Sequence, residues 1–318
     1  MSDGSALVSA GNSTLTLSPF LKHCVINLNK PKGITSHQAV EKVRRISGIK
    51  KAGHAGTLDP LATGVLLVCT GEATKITRFL SDLDKEYVVV VKLGEKTDTY
   101  DAEGTVTAKS EGFSLEKEDI ERILPGFTGT IEQIPPMFSA VKMGGKPLYK
   151  LARKGVTVER KKRVVTVHEI TITAFSLPFL EMRVSCSKGT YIRSLCNDIG
   201  EVLGIGAHIS ALERTRTGDF SVADSLTLEE VEGLAGGQWR GGSLPPGLSG
   251  IDAALGHLRD LSVAENDFSR VRNGLPMRCP DGLFLPDQYL RLKDPSGKLF
   301  AIGKVKDCTI RIERMLHL

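Results

Sequence analysis

A glycine-rich segment near the C-terminal end limits how this chain of 318 residues can fold. Residues 233–250 contain seven glycines, two prolines and two serines. This composition disfavours a helix or a strand and predicts a linker or a long surface loop. We therefore expect two folded parts, a larger one over 23–257 and a smaller one over 258–318, preceded by a mobile polar tail at 1–22.

The larger part mixes helix and strand patterns without strict alternation. Apolar or β-branched runs predict strands at 25–28, 65–69, 87–93 and 180–186. Thr35 with Gln38 three residues later predicts a capped helix that ends at Gly48, and further helices are expected at 72–83 and 192–203. The predicted fold class is therefore α+β. Short strand patterns separated by turns predict a small all-β module at 258–318.

Composition excludes several classes of protein. Hydrophobic residues make up 41% of the chain and charged residues 25%, as in ordinary globular proteins. No apolar run approaches the roughly 20 residues that cross a bilayer, and residues 1–20 lack the apolar core of a signal peptide. The six cysteines include no C-x-x-C pair. We expect a soluble, cytoplasmic protein with free thiols and no metal site.

Positive charge is concentrated in two windows. Residues 30–60 and 142–163 together carry a net charge of +13, whereas the rest of the chain carries −8. Each window alone is compatible with an ordinary solvated surface. Two such windows, both interleaved with glycine and with a ring or proline, favour contact with a nucleic acid, in which lysine and arginine neutralise phosphates.

Asp59 is the carboxylate that the sequence favours for chemistry. It lies in a glycine-rich loop, and Pro60 restricts its backbone to an extended conformation. On spacing alone, however, Asp-Pro is more simply a turn. Arg193, two residues after Tyr191, either pairs with a carboxylate or is an ordinary surface arginine at a helix start. Three further candidates are, taken singly, more simply explained by structure. Tyr87 is a ring at the core edge, His54 is a hydrogen-bonding loop residue, and Leu212 is a core residue.

Six ordered motifs identify a family. Residues 53–66, GHAGTLDPLATGVL, resemble the active-site motif of the TruB family of pseudouridine synthases. Residues 30–36, KPKGITS, resemble its N-terminal motif. The other similar segments follow in order at 84–87, 136–153, 187–193 and 206–214. The resemblance extends over most of the chain.

The resemblance implies a fold, a reaction and a partner. The fold would be a mixed, mainly antiparallel sheet with helices, followed by a small β-barrel RNA-binding module of the PUA type. The reaction would convert uridine to pseudouridine at position 55 in the T-loop of tRNA, with no metal or organic cofactor. The partner would be tRNA, contacted at its T-loop and acceptor arm by a monomer that needs no membrane and no obligatory protein partner.

The resemblance also implies residue roles. Asp59 would be the catalytic aspartate, Arg193 would pair with it, and Tyr87 would stack on the target base and assist loss of the C5 proton. The residues expected to bind the substrate are His54, Tyr87, Tyr191, Leu212, Lys30 and Pro31, the last two by supporting the catalytic loop. Contacts to the RNA backbone are expected from Lys142, Lys146, Lys150 and Arg153.

The sequence leaves two alternative functions open. A related synthase that acts within a guide-RNA complex would share these motifs, but the basic insertion at 142–163 suits independent tRNA binding better. A noncatalytic tRNA-binding or folding factor would keep the scaffold, although the presence of Asp59, Tyr87 and Arg193 disfavours a loss of activity.

Overall fold

A computed structural model describes residues 21–139, 141–152, 154–156, 158–237, 244–280 and 282–318. Its helices are α1 (Ser36–Ser47), α2 (Thr77–Ser81), α3 (Lys117–Ile123), α4 (Leu148–Ala152), α5 (Ile192–Val202), α6 (Leu228–Ala235), α7 (Ile251–Ala254) and α8 (Glu265–Arg272). The chain is α+β, as the sequence predicts.

A ten-stranded sheet forms the centre of the molecule. Its strands are β1 (Cys24–Lys30), β2 (Ala52–Ala55), β3 (Thr63–Thr70), β4 (Lys85–Leu93), β7 (Gly129–Gln133), β10 (Arg163–Ser176), β11 (Phe179–Cys186), β12 (Ala207–Thr217), β13 (Phe220–Ser221) and β14 (Leu248–Gly250). The main order is β14-β1-β3-β12-β4-β11-β10-β7. Only β12 and β3 pair in parallel among these described strands, so the sheet is mixed and mainly antiparallel.

Two short hairpins extend from this sheet. They are formed by β5 (Glu95–Thr97) with β6 (Val106–Lys109), and by β8 (Lys142–Met143) with β9 (Lys146–Pro147). The first hairpin is held against β12, because the amide of Ile209 donates to the carbonyl of Tyr100 at 3.1 Å. This contact fixes the tip of the hairpin beside the centre of the large sheet.

The helix predicted after residue 35 forms as expected. Thr35 and Gln38 make the reciprocal capping bonds at the start of α1, and Gly48 follows the helix in the left-handed conformation. Ala39, Val40 and Val43 of α1 are buried. Residues at this spacing lie on one face of a helix, which here faces the core. The helix predicted at 72–83 is instead a 3₁₀ segment at Gly71–Ile76 followed by the short α2.

A second, five-stranded sheet occupies the C-terminal part. Its strands are β15 (Arg259–Ser262), β16 (Met277–Arg278), β17 (Tyr289–Lys293), β18 (Leu299–Lys306) and β19 (Thr309–Met315), in the order β15-β17-β18-β19-β16. The all-β expectation for 258–318 is wrong in one respect, because α8 lies within it. Phe268 and Val271 are the apolar residues of this helix, and two such positions are too few to predict a helix of eight residues from the sequence.

The two sheets share an apolar cluster. Side chains from the large sheet and α2, such as Leu67 and Phe79, pack with Ile302 and Leu316 of the C-terminal sheet. The rings of Phe79 and Tyr289 meet edge to face with centroids 5.0 Å apart. The predicted linker at 233–250 overlaps the end of α6, at Ala235, and β14, which begins at Leu248. Residues 238–243 of it lie outside the described part.

Candidate active site

The loop that carries Asp59 connects β2 to β3 and is fixed by hydrogen bonds from Ser36 and Lys30. The hydroxyl of Ser36 accepts from the amide of Leu58 at 2.8 Å and donates to its carbonyl at 3.0 Å. The ammonium of the fully buried Lys30 donates to the carbonyls of Ile34 and Pro60 at 2.8 and 3.4 Å. Because these bonds tie the loop to the start of α1, the Asp59 side chain projects from a fixed backbone.

Gly64, at the start of β3, permits the close approach of β12. Its φ is +93°, and a Cβ atom there would lie 2.3 Å from the carbonyl oxygen of Arg214. No side chain fits at that distance. The parallel pairing of Gly64 with Arg214 places the strand after the Asp59 loop directly beside β12.

Asp59 and Arg193 form an ion pair at two points. Nη2 of Arg193 donates to Oδ1 of Asp59 at 3.0 Å, and Nε lies 2.9 Å from Oδ2. The Arg193 side chain is only 4% exposed, whereas that of Asp59 is 35% exposed. The sequence alternative of a surface arginine is therefore wrong. Arg193 does lie in the first turn of α5, at a helix start as that alternative expected.

Asp101 is a second carboxylate at this arginine, and the sequence reading missed it. Its Oδ2 lies 3.4 Å from Nη1 of Arg193, and its side chain is 6% exposed. The same guanidinium donates to the carbonyls of Thr99 and Phe138 at 3.0 and 2.8 Å. Asp101 lies at the tip of the β5–β6 hairpin, among other polar residues, where no local sequence pattern distinguishes it.

The neighbours of Asp59 act on its pKa in opposite directions. Burial raises the pKa above its ordinary value, the charge and hydrogen bond of Arg193 oppose this rise, and Asp101 adds to it. Lys30 also lowers the pKa of Asp59. The carboxylate is thus oriented by one cation while its basicity is increased by limited hydration and by a like charge.

A cavity of about 260 Å³ opens beside this ion pair. The predicted residues that line it are Asp59, Tyr87, Tyr191, Arg193 and Leu212. Burial raises the pKa of the Tyr87 phenol, which the nearby Arg214 opposes through its charge and a hydrogen bond. Lys85 and Arg214 complete the lining among the charged residues described, and neither was predicted as a site residue.

His54 lies at a second cavity, of about 510 Å³, that shares Asp59 and Arg193 with the first. Tyr149, His37 and Glu103 are further lining residues. Burial lowers the pKa of His54, and Arg214 lowers it further, so the imidazole is neutral at pH 7. Of the predicted residues, Lys30 and Pro31 line neither cavity; the carbonyl of Pro31 instead accepts from the Lys30 ammonium at 2.9 Å.

The predicted RNA-backbone residues lie in the segment after β7. Lys150 is exposed on α4. Lys142 and Lys146 belong to the β8–β9 hairpin, and Arg153 lies outside the described residues.

Within the described ranges, no cluster of three or more histidine, cysteine, aspartate or glutamate side chains is arranged to hold a metal ion. No helix in those ranges has the length and apolarity to span a membrane.

Solved structures with this fold support the architecture. The protein in "Crystal Structure of a Cbf5-Nop10-Gar1 Complex" is 26% identical, with a TM-score of 0.74 over 94% of this chain and 86% of that one. Its similarity covers both sheets, because the aligned share includes nearly the whole chain.

Sequence comparison identifies the family. Residues 44–192 match the family model "TruB family pseudouridylate synthase (N terminal domain)", and residues 193–255 match "tRNA pseudouridylate synthase B C-terminal domain". Curated relatives named tRNA pseudouridine synthase B include one from Pseudomonas aeruginosa, 44% identical over 89% of this chain and 92% of its own. Another, from Dechloromonas aromatica, is 48% identical over 81% of this chain and 85% of its own. The chain therefore belongs to the TruB family of pseudouridine synthases.

Proposed function

We propose that this chain converts uridine to pseudouridine at position 55 in the T-loop of tRNA, with Asp59 as the catalytic carboxylate. The observation that carries the assignment is the two-point ion pair between Asp59 and the buried Arg193 at the wall of a cavity large enough for a pyrimidine. Relatives that are 44% and 48% identical over 89% and 81% of this chain carry the name tRNA pseudouridine synthase B.

The reaction breaks the bond between N1 of the base and C1′ of the ribose and forms a bond from C5 to C1′. Asp59 acts either as a nucleophile at the sugar or as the base that removes the C2′ proton, and both roles require the ionised carboxylate. Arg193 keeps the carboxylate oriented and opposes the rise in its pKa, which favours the ionised form. Its two-point contact leaves the partly exposed carboxylate directed toward the cavity.

Tyr87, Tyr191 and Leu212 would hold the base after it leaves the T-loop stack. Flipping a nucleotide costs a few kcal/mol, which stacking on an aromatic ring and contacts to phosphates offset. Tyr87 would stack on the uracil and assist loss of the C5 proton. His54 would contact the RNA from the second cavity, and Lys30 and Pro31 would support the Asp59 loop.

The remaining parts would serve RNA binding. Lys142, Lys146, Lys150 and Arg153 would contact the phosphate backbone, and the five-stranded sheet would act as a PUA-like module that meets the acceptor arm. We propose domain bounds of 23–257 and 258–318. Of the tail predicted at 1–22, residues 1–20 lie outside the described part, and Leu21 is fully buried in the core rather than part of a tail. The enzyme would act in the cytoplasm as a monomer, without cofactor or obligatory protein partner.

The direct test is release of tritium from a tRNA transcript labelled at C5 of its uridines. The label leaves C5 only when this carbon becomes the glycosidic carbon. We expect release by the wild-type chain, none by Asp59→Asn, and a normal rate for the control Asp119→Asn on α3. Sequencing of the product for pseudouridine then reports the position modified.

Three outcomes separate the alternatives. Binding of tRNA without release by the wild type would overturn the enzymatic assignment in favour of an RNA-binding scaffold. Release by Asp59→Asn at the wild-type rate would overturn the role of Asp59. Modification of tRNA at a uridine other than position 55 would overturn the assigned position.

A further inference from the structure

Two buried cations at the smaller cavity form no ion pair with a carboxylate of the described residues. Arg214 is 1% exposed and Lys85 is 7% exposed, and both line the cavity that also contains Asp59. Arg193, in contrast, is balanced by Asp59 and Asp101. A buried charge without a counter-ion is costly, so its presence beside a cavity points to a ligand that supplies negative charge.

Among the described residues, the hydrogen-bond acceptors of Arg214 are neutral groups. Its Nε donates to the carbonyl of Val65 at 2.7 Å, and Nη2 donates to that of Gly56 at 2.9 Å. It lies on β12 directly opposite Tyr87 of β4 in the sheet register. In the described part of the chain, no aspartate or glutamate lies within ion-pair distance of this guanidinium, so its full charge faces Tyr87 and the cavity.

Lys85 lies two residues before Tyr87 on the same face of β4. Its ammonium donates to the carbonyls of Ser81 and Leu83, at 2.6 Å for Ser81. These bonds use two of the three ammonium donors, and no carboxylate of the described residues lies within ion-pair distance of Lys85. Lys85 and Arg214 therefore both place positive charge around the ring that is proposed to stack on the base.

We propose that Arg214 and Lys85 stabilise the negative charge that develops on the uracil when it detaches from the ribose. The inference rests on the function proposed above and extends it by assigning the charge of the detached base to these two residues. Preorganised positive charge in a cavity with little water acts strongly on such an anion because no solvent has to reorient.

The electron balance of the isomerisation makes this charge necessary. When the N1–C1′ bond breaks, its electron pair stays with the base, which becomes a uracil anion. The anion turns, and C5 donates an electron pair to C1′ to form the new bond. C5 then loses its proton and N1 gains one, so the product has the composition of the substrate. The positive charge is needed only between the breaking of one bond and the formation of the other.

The test compares variants that separate charge from hydrogen bonding at Arg214. Arg214→Gln keeps donors for the carbonyls of Gly56 and Val65 without the charge, and Arg214→Lys keeps the charge with fewer donors. In single-turnover reactions with saturating tRNA, we expect a loss of about 10²-fold for Arg214→Gln, which is the scale of removing one preorganised electrostatic group, and a smaller loss for Arg214→Lys. We expect Lys85→Met to lose more than Lys85→Arg for the same reason.

A second substrate distinguishes this role from a structural one. Fluorine at C5 stabilises the uracil anion by itself, so consumption of 5-fluorouridine in the same tRNA should be less sensitive to loss of the positive charge. We expect the Arg214→Gln defect to be at least fivefold smaller with this substrate, whereas the dissociation constant for tRNA stays within twofold. A variant with a distorted site would lose the same factor with both substrates.

Lys75→Met is the matched control. Lys75 donates to the carbonyl of Met315 at 2.8 Å and pairs with Glu72, and it lines neither cavity. Its rates should stay within twofold of wild type with both substrates. Equal defects for Arg214→Gln and Arg214→Lys, or equal defects with uridine and 5-fluorouridine, would overturn the inference. A wild type that consumes neither substrate would instead overturn the proposed function.

Discussion

Nη1 of Arg193 lies 3.4 Å from Oδ2 of Asp101, on the side of the guanidinium that does not contact Asp59. One buried arginine thus serves two carboxylates from different parts of the chain. Asp101 restricts rotation of the guanidinium, and its charge also raises the pKa of Asp59. The hairpin that carries Asp101 therefore sets both the orientation and the basicity of the carboxylate proposed for catalysis.

Asp101→Asn should shift the acid limb of the pH profile to lower pH. The activity requires ionised Asp59, so kcat/KM rises with pH through the pKa of that group. Removing the Asp101 charge lowers this pKa, and the variant keeps a larger fraction of its plateau activity at pH 5 than the wild type keeps. The plateau itself should fall by about tenfold, because Arg193 is less well oriented.

The control for this profile is Asp98→Asn in the same hairpin. The Asp98 carboxylate accepts from the amide of Thr105 and does not contact Arg193. Its acid limb should coincide with that of the wild type. A shift of the Asp101→Asn limb to higher pH would contradict the electrostatic relationship between the two carboxylates.

Arg193→Lys should reduce kcat by about 10²-fold with little change in tRNA affinity. An ammonium is a point charge and cannot span both oxygens of Asp59 while it also reaches Asp101 and the carbonyls of Thr99 and Phe138. The measurement is single-turnover tritium release together with a tRNA dissociation constant. Arg183→Lys, at an exposed arginine of β11, is the matched control. A Lys variant with full activity would show that charge alone is sufficient at this position.

Much of the large sheet was predictable because its strands carry strong local patterns. The β-branched run of β4 and the alternation in β11 fix which residues face the core, and the Thr35–Gln38 capping box fixes the start of α1. The helix α8 was not predictable, since eight mostly polar residues give no clear apolar face. Sheet order was also inaccessible, because β3 and β12 pair over a long sequence separation.

Some residues of the candidate site were predictable from the sequence, and others were not. Asp59, Tyr87 and Arg193 belong to motifs that resemble the family, and the fold brings all three to one cavity. Lys85 gains its importance from burial at that cavity, and Asp101 from burial at the second cavity beside Arg193. A polar residue in a short hairpin is ordinarily solvated, so only the packing of the β5–β6 hairpin against β12 distinguishes Asp101 from its neighbours.

Gly64→Ala should destabilise the fold more than Gly33→Ala. Both glycines have positive φ, +93° and +86°, so both variants incur a conformational cost of about 1–2 kcal/mol. Only the Gly64 variant also places a Cβ atom 2.3 Å from a backbone oxygen, whereas nothing lies within 4 Å of a Cβ atom at Gly33. Overpacking of this kind adds about 1–3 kcal/mol. Urea unfolding measures the difference, and equal free energies of unfolding for the two variants would contradict the close approach of β12.

Lys30→Met should change how stability depends on pH above neutrality. Burial lowers the pKa of Lys30 from 10.5 to about 8, and Asp59 partly opposes this. Between pH 8 and pH 10.5 the unfolded chain therefore binds more protons at this residue than the folded chain, so the Lys30 contribution to stability increases as pH rises. Relative to Lys30→Met, the wild-type free energy of unfolding should increase by about 1–3 kcal/mol over this range and stay constant below it.

The variant at the exposed Lys32, Lys32→Met, controls for the loss of one positive charge from this segment. Its difference from the wild type should be independent of pH across the same range, since the Lys32 side chain is exposed to solvent in the folded chain. Urea unfolding at pH 7, 8, 9 and 10 provides the comparison. The two variants could instead show the same dependence of the free energy of unfolding on pH. The ammonium of Lys30 would then have to be hydrated, because burial would not affect its stability contribution. Its bonds to the carbonyls of Ile34 and Pro60 could then not be what holds the Asp59 loop.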